Sequence, residues 1–222
     1  MCDVLTAFLD TTSPLGKGVT QVTYPSENQS LVIKLALVHT RLTSIGFDGV
    51  RDAVVPAHCL MLDRMLNDIL LRADYLHLPR TIHQTLLDKS AFPVHHIHSI
   101  PNDFLCNVWR DIGVQATVQE RIHGLTLHEA IDSHGASWTI DDWKSLVIQI
   151  VCSLVHLQRS CGYIQWDSHP GNLMITVLDR ETQLAYALDD DRCIKTPASK
   201  LLIKWMDTSS AMMTKLMDPV EA

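Results

Sequence analysis

Apolar and polar positions change period several times along the chain, and each change marks a predicted element. Residues 15–24 read as a strand containing Gly16 and Gly18. The polar run 25–30 turns the chain, and the apolar run 31–37 makes a second strand with one charge inside it, Lys34. Leu60, Leu62, Met65, Leu66, Ile69 and Leu70 recur at helical spacing, which predicts an amphipathic helix over 54–71, stopped by Pro79. Residues 114–122 alternate as a strand, and His123 and Gly124 turn it into a short helix over 126–131. Thr139 is the expected N-cap of the next helix, with Asp141 and Asp142 in a first turn that favours negative charge. Its run 146–157 is apolar nearly all round, so this helix is expected to be central.

A polar loop follows at 165–172. The strand 173–177 is then expected to pair with 184–188 across a turn at 179–182, and this hairpin ends on Asp189, Asp190 and Asp191. The remainder has room for one helix over 198–216. No internal repeat or low-complexity linker interrupts the order.

Composition narrows the class. A chain of 222 residues that is 46% hydrophobic can bury a sizeable core, as one domain or as two small lobes. With 25 acidic against 18 basic residues, non-specific binding to nucleic acid or to an anionic membrane is disfavoured as its main task. The start lacks a basic segment followed by an apolar core, and no apolar run reaches the roughly 18 residues of a membrane span, so a soluble intracellular protein is expected. The six cysteines are scattered without a C-x-x-C pair, as for reduced thiols. His95, His96 and His98 cluster in a Pro-flanked segment without a spaced carboxylate or thiol, a poor metal site. Trp138, Trp143 and Trp205 read as packing residues, whereas Trp166 abuts Asp167.

The candidate chemistry is phosphoryl transfer, which needs backbone N–H groups and a lysine on the phosphates, oxygen ligands for Mg²⁺, and a carboxylate at the incoming hydroxyl. Gly16 and Gly18 let a turn approach phosphates closely because no Cβ intervenes. Lys34 follows on an apolar strand. Asp167 and Asn172 stand five positions apart on a loop before a strand, so that the Asp can take a hydroxyl proton while the Asn oxygen meets a hard cation. Asp189, at the end of the expected hairpin, is the second metal-ligand candidate.

From about 15 to 191 these segments resemble the protein-kinase-like superfamily. Residues 15–24 resemble its glycine-rich loop, and Leu31, Val32, Ile33 and Lys34 resemble the strand that presents the ATP lysine. Residues 119–127 look like the hinge that holds adenine, which brings Glu120 into the cofactor site. The Asp-Ser-His-Pro-Gly-Asn run of 167–172 is similar to the catalytic loop of aminoglycoside-phosphotransferase-like and other atypical kinases, and 188–191 stand where the metal-binding D-F-G belongs. Gln21 replaces the third glycine, Gln165 and Trp166 precede the base, and Asp190 and Asp191 replace Phe and Gly. No Glu lies between Leu35 and Gln119, which leaves Asp63 as the partner for Lys34.

The resemblance implies an α+β, bilobal fold: a strand-rich N-lobe over 1–121 and a reduced, helical C-lobe over 122–222, with ATP and Mg²⁺ between them. It implies an atypical protein serine/threonine kinase, or a phosphotransferase to a small hydroxyl acceptor. Because the motifs are altered, a pseudokinase that binds nucleotide or protein stands as the alternative. The degenerate motifs and small size also resemble kinase homologues of large DNA viruses.

Overall fold

The computed structural model describes residues 13–17, 21–26, 28–39, 76–87, 112–165, 168–187, 191–206 and 211–213. The fold is α+β with antiparallel strand pairing. The chain divides into two compact units, one of Met1–Asn67 with Arg80–Arg121 and one of Asp68–Pro79 with Ile122–Ala222. The helix expected over 54–71 lies outside the described residues.

The first unit is a five-stranded sheet. Its strands are β1 (Gly16–Lys17), β2 (Gln21–Pro25), β3 (Leu31–His39), β4 (Thr81–Leu87) and β5 (Ile112–Glu120), in the order β1-β2-β3-β5-β4. The stretch read as one strand over 15–24 thus holds two, with Gly16 opposite Thr23 and Lys17 opposite Val22. Between β2 and β3 the Asn28 side-chain oxygen accepts from Ser30 N–H at 3.0 Å, a short polar residue closing a turn on its own backbone.

Strict alternation in β5 gives the sheet two unlike faces. Val114, Ala116 and Val118 share a face with Val22, Tyr24, Ile33 and Leu35, of which Val22, Tyr24, Leu35 and Val114 are completely buried. Each such burial stabilises by about 1.5–3 kcal/mol. The opposite face carries Thr23, Lys34, Gln115, Thr117 and Gln119. A bulge between Thr81 and His83 resets β4 so that Gln84 falls on that same polar face.

In the second unit Thr126 caps α1 (Leu127–His134), and its hydroxyl accepts from Glu129 N–H while the Glu129 carboxylate accepts from Thr126 N–H. Thr139 and Asp142 make the same reciprocal pair at the start of α2 (Ile140–Cys161). Both helices were expected, and both run past the predicted length. Gly162 ends α2 in the left-handed region, at φ 68°, where a side chain would be strained.

Asp142 also accepts from Ser199 Oγ at 2.6 Å, a bond that, with those from Thr139, holds its carboxyl below the usual range. Asp142→Ala removes half of the cap and strips a buried hydroxyl of its acceptor, so a loss of about 1–2 kcal/mol is expected. Asp142→Asn keeps an acceptor oxygen and should retain most of that stability in urea denaturation.

The remaining strands are β6 (Leu125–Thr126), β7 (Tyr163–Gln165), β8 (Leu173–Thr182), β9 (Ala185–Ala187), β10 (Cys193–Lys195), β11 (Ser199–Trp205) and β12 (Ala211–Met213). Here the structure corrects the sequence reading twice. Strand β8 pairs with β11, Leu173 opposite Trp205 and Ile175 opposite Ile203, and not with 184–188. Residues 185–187 instead pair with 193–195, in a hairpin clamped at its base by Thr196, whose N–H donates to the Leu184 carbonyl and whose Oγ1 accepts from Leu184 N–H. The segment expected as a helix over 198–216 contains β11 and β12. The second unit therefore has two α-helices among seven strands in the described residues, rather than a mainly helical lobe.

Helix α2 packs on β11 with an unusual polar row, Ser145, Gln149 and Ser153, spaced four apart on its buried side. Strand β11 is an edge, so its outward N–H and C=O groups need partners. Gln149 Nε2 donates to the Leu201 carbonyl at 2.8 Å while its Oε1 accepts from Ile203 N–H at 3.0 Å. The Ile203 carbonyl then accepts from His77 Nδ1 at 2.9 Å, and Trp205 N–H donates to the His77 carbonyl at 2.8 Å. The Gln149 amide and His77 thus cover the edge as a further strand would. Trp205 Nε1 donates to Ser153 Oγ at 2.9 Å, which fixes the end of β11 to the helix. Contrary to a helix buried all round, Ile140, Val147 and Val151 are exposed on the far side of α2.

Candidate functional site

On the first unit the polar sheet face concentrates around Lys34. The register places Thr23, Lys34, Thr117 and Gln84 in one row across β2, β3, β5 and β4, side chains on the same face at strand spacings of about 4.8 Å. Thr117 is buried, and Lys34, Thr23 and Gln84 are half-buried. Gln115 Nε2 donates to Thr117 Oγ1 at 3.2 Å. Gln84 Nε2 is itself buried, with no hydrogen-bond partner among the described residues. Buried amide nitrogens are rarely left so. The row therefore sets the Lys34 ammonium between the hydroxyls of Thr23 and Thr117, with the buried Gln84 amide beyond Thr117. No ion pair reaches Lys34 among the described residues.

At the end of β5 Glu120 is held rather than free, its N–H donating to the Arg80 carbonyl at 2.8 Å and its carboxylate accepting from Arg80 N–H at 3.1 Å. Arg121 N–H donates to the Ser30 carbonyl, which ties the strand end to the β2–β3 turn. Gly16 lies on β1, and Gly18 lies outside the described residues.

On the second unit the polar loop is built on β7, which pairs with β12. Tyr163 Oη donates to Gln165 Oε1 at 3.0 Å and Ser168 Oγ to the Gln165 carbonyl at 3.3 Å. His169 Nδ1 accepts from Gly171 N–H at 3.0 Å, and the His169 carbonyl accepts from Asn172 N–H at 2.9 Å. Pro170 opens this single tight turn, which delivers Asn172 to the start of β8. There the Asn172 carbonyl accepts from Met206 N–H at 2.9 Å, so the chain leaving β11 is fastened to Asn172.

Asp189 is expected at the end of the strand paired with β8; the strand so paired is β11, and the acid that follows Met206 in the sequence is Asp207. Asp63, Asp167, Asp189 and Asp207 lie outside the described residues, as do Trp166, His95, His96 and His98. No cluster of three or more His, Cys, Asp or Glu suited to a metal occurs among the described residues, and no described helix is long and apolar enough to cross a membrane. No family model matches the chain, and no curated protein matches it.

Proposed function

We propose that the chain is an ATP-dependent phosphotransferase of protein-kinase-like type, acting on a hydroxyl of a protein or a small molecule. The observation that carries this reading is the Met206–Asn172 bond at the end of the β8–β11 pair. In this reading Mg²⁺ is held by the Asn172 side-chain oxygen with a carboxylate, that of Asp189 or of Asp207, which follows Met206 in the sequence, oxygen donors of the kind Mg²⁺ takes. When bound, Mg²⁺ supplies charge neutralisation on phosphate oxygens. Lys34, beside Thr23 on the polar row of the first unit, is the phosphate-binding cation of this reading. Gly16, Gly18 and the backbone around Glu120 complete the nucleotide contacts in this reading, and Asp167 accepts the proton of the incoming hydroxyl.

Thermal unfolding with ATP, with and without Mg²⁺, tests it. A nucleotide at about 100 times its Kd stabilises by about 2.7 kcal/mol, and the rise in Tm should require Mg²⁺. Loss of the Mg²⁺ requirement in Asp207→Ala but not in Asp189→Ala assigns the metal to Asp207; the reverse pattern assigns it to Asp189. Lys34→Met should weaken ATP far more than adenosine. An absent shift at millimolar ATP rejects the reading. The altered motifs, with Gln21 in place of the third glycine, no Glu between Leu35 and Gln119, and Asp190 and Asp191 at the acidic tip, favour as second reading a pseudokinase that binds nucleotide without turnover. Phosphate release that is unchanged in Asp167→Asn would select it.

A further inference from the structure

We propose that His77 is a pH-sensitive latch, which holds the 76–79 segment on the edge of β11 when its imidazole is neutral and releases it when the ring is protonated. Geometry fixes the ring's state. The Ile203 carbonyl can only accept, so Nδ1, 2.9 Å away, carries the proton. Nε2 is then the acceptor, and the Tyr186 hydroxyl donates to it at 2.7 Å from β9, with the two rings stacked. One donor and one acceptor match the neutral ring. A second proton turns the Tyr186 hydroxyl from donor to acceptor and puts a charge on a side chain that is 2% exposed.

The surroundings oppose that charge. Burial is the largest cause lowering the His77 pKa, to about 4, and Lys204 on β11 and His156 on α2 lower it further. The bond to Ile203 acts the other way without prevailing. Beside the ring, Leu78 is buried, Leu76 is exposed, and Trp205 N–H donates to the His77 carbonyl. The latch sits two residues before Pro79–Arg80, one of the points at which the chain passes from one compact unit to the other.

The test is amide hydrogen exchange at Trp205, whose N–H rests on the His77 carbonyl, read as a protection factor between pH 7.5 and 4.5. Opening that frees the imidazole becomes about tenfold more favourable per pH unit below about 6.5, or about 100-fold by pH 4.5. Wild-type protection should fall accordingly. His77→Gln offers the same donor and acceptor without a titrating ring, so its Trp205 protection should stay flat. Tyr186→Phe keeps the ring and removes the donor to Nε2, which raises the folded-state pKa, so its loss of protection should still begin near pH 6.5 but level off at a higher pH than in the wild type. A pH-independent wild type, a glutamine variant with the wild-type profile, or an unmoved profile in Tyr186→Phe would each overturn the latch.

Discussion

Gln149→Leu should cost the second unit about 2–5 kcal/mol, although it leaves no large cavity. The substitution keeps an apolar side chain of similar size on α2, so packing changes little. What changes is the edge of β11. Leu201 loses the donor to its carbonyl and Ile203 the acceptor of its N–H, and each buried group left unpaired costs about 1–3 kcal/mol. Ser145 Oγ, which accepts from the same amide at 3.1 Å, loses a partner as well. Gln149→Glu sharpens the point. A carboxylate still accepts from Ile203 but faces the Leu201 carbonyl with no proton to give, so it should be the worse variant at pH 7. It should regain stability, relative to wild type at the same pH, as acid protonates it and restores a donor. Urea denaturation at pH 7 and pH 5 checks both. A loss under 1 kcal/mol in Gln149→Leu would mean that β11 does not depend on the helix for its outer hydrogen bonds.

The same strand shows where the sequence was legible and where it was not. Capping residues act over four positions, so Thr139 marked the start of the long helix, and the structure adds Thr126 as the cap of the helix expected over 126–131. The alternation of β5 gave a strand because its period is local too. The partner of β8 is not a local property. Residues 184–188 are apolar and come first, and neighbouring segments usually pair. They are claimed instead by Cys193, Ile194 and Lys195, with Thr196 clamping the base, so β8 waits for 201–205. Glutamine and histidine as edge partners leave no periodic trace. Gln149 stands in the apolar run of α2 like an interruption, and its purpose depends on a strand 52 residues away.

The candidate site divides along the same line. Lys34 was marked by being the lone charge on an apolar strand, and Asn172 by its spacing from Asp167. The row of Thr23, Thr117 and Gln84 beside Lys34 needed the register, and for Gln84 the bulge at Thr81–His83, since one residue of slip sends it to the opposite face. The choice of acid follows the pairing of β8: with β11 in place of 184–188, Asp207 becomes a candidate beside Asp189.

Acid should cost the fold about 3 kcal/mol through His77 alone, over a pH range in which carboxylates contribute little. The folded ring has its pKa lowered to about 4 by burial, against about 6.5 when the chain is unfolded. Between those values the unfolded chain binds a proton that the folded chain does not, so stability falls as pH falls. The loss begins near pH 6.5, accumulates at about 1.4 kcal/mol per pH unit, and stops near pH 4, where both states carry the proton. Asp142 and Glu129 have lowered carboxyl pKa values, and their stabilisation is lost only below the ordinary carboxylate range, so the interval from 6.5 to 5 separates them from the histidine. His77→Gln should remain level across that interval while the wild type falls, because the amide donates to Ile203 and accepts from Tyr186 at every pH. Urea denaturation at half-unit steps gives both curves. Parallel curves would show that His77 takes its proton in the fold as readily as in the unfolded chain, and that acid sensitivity arises from another group.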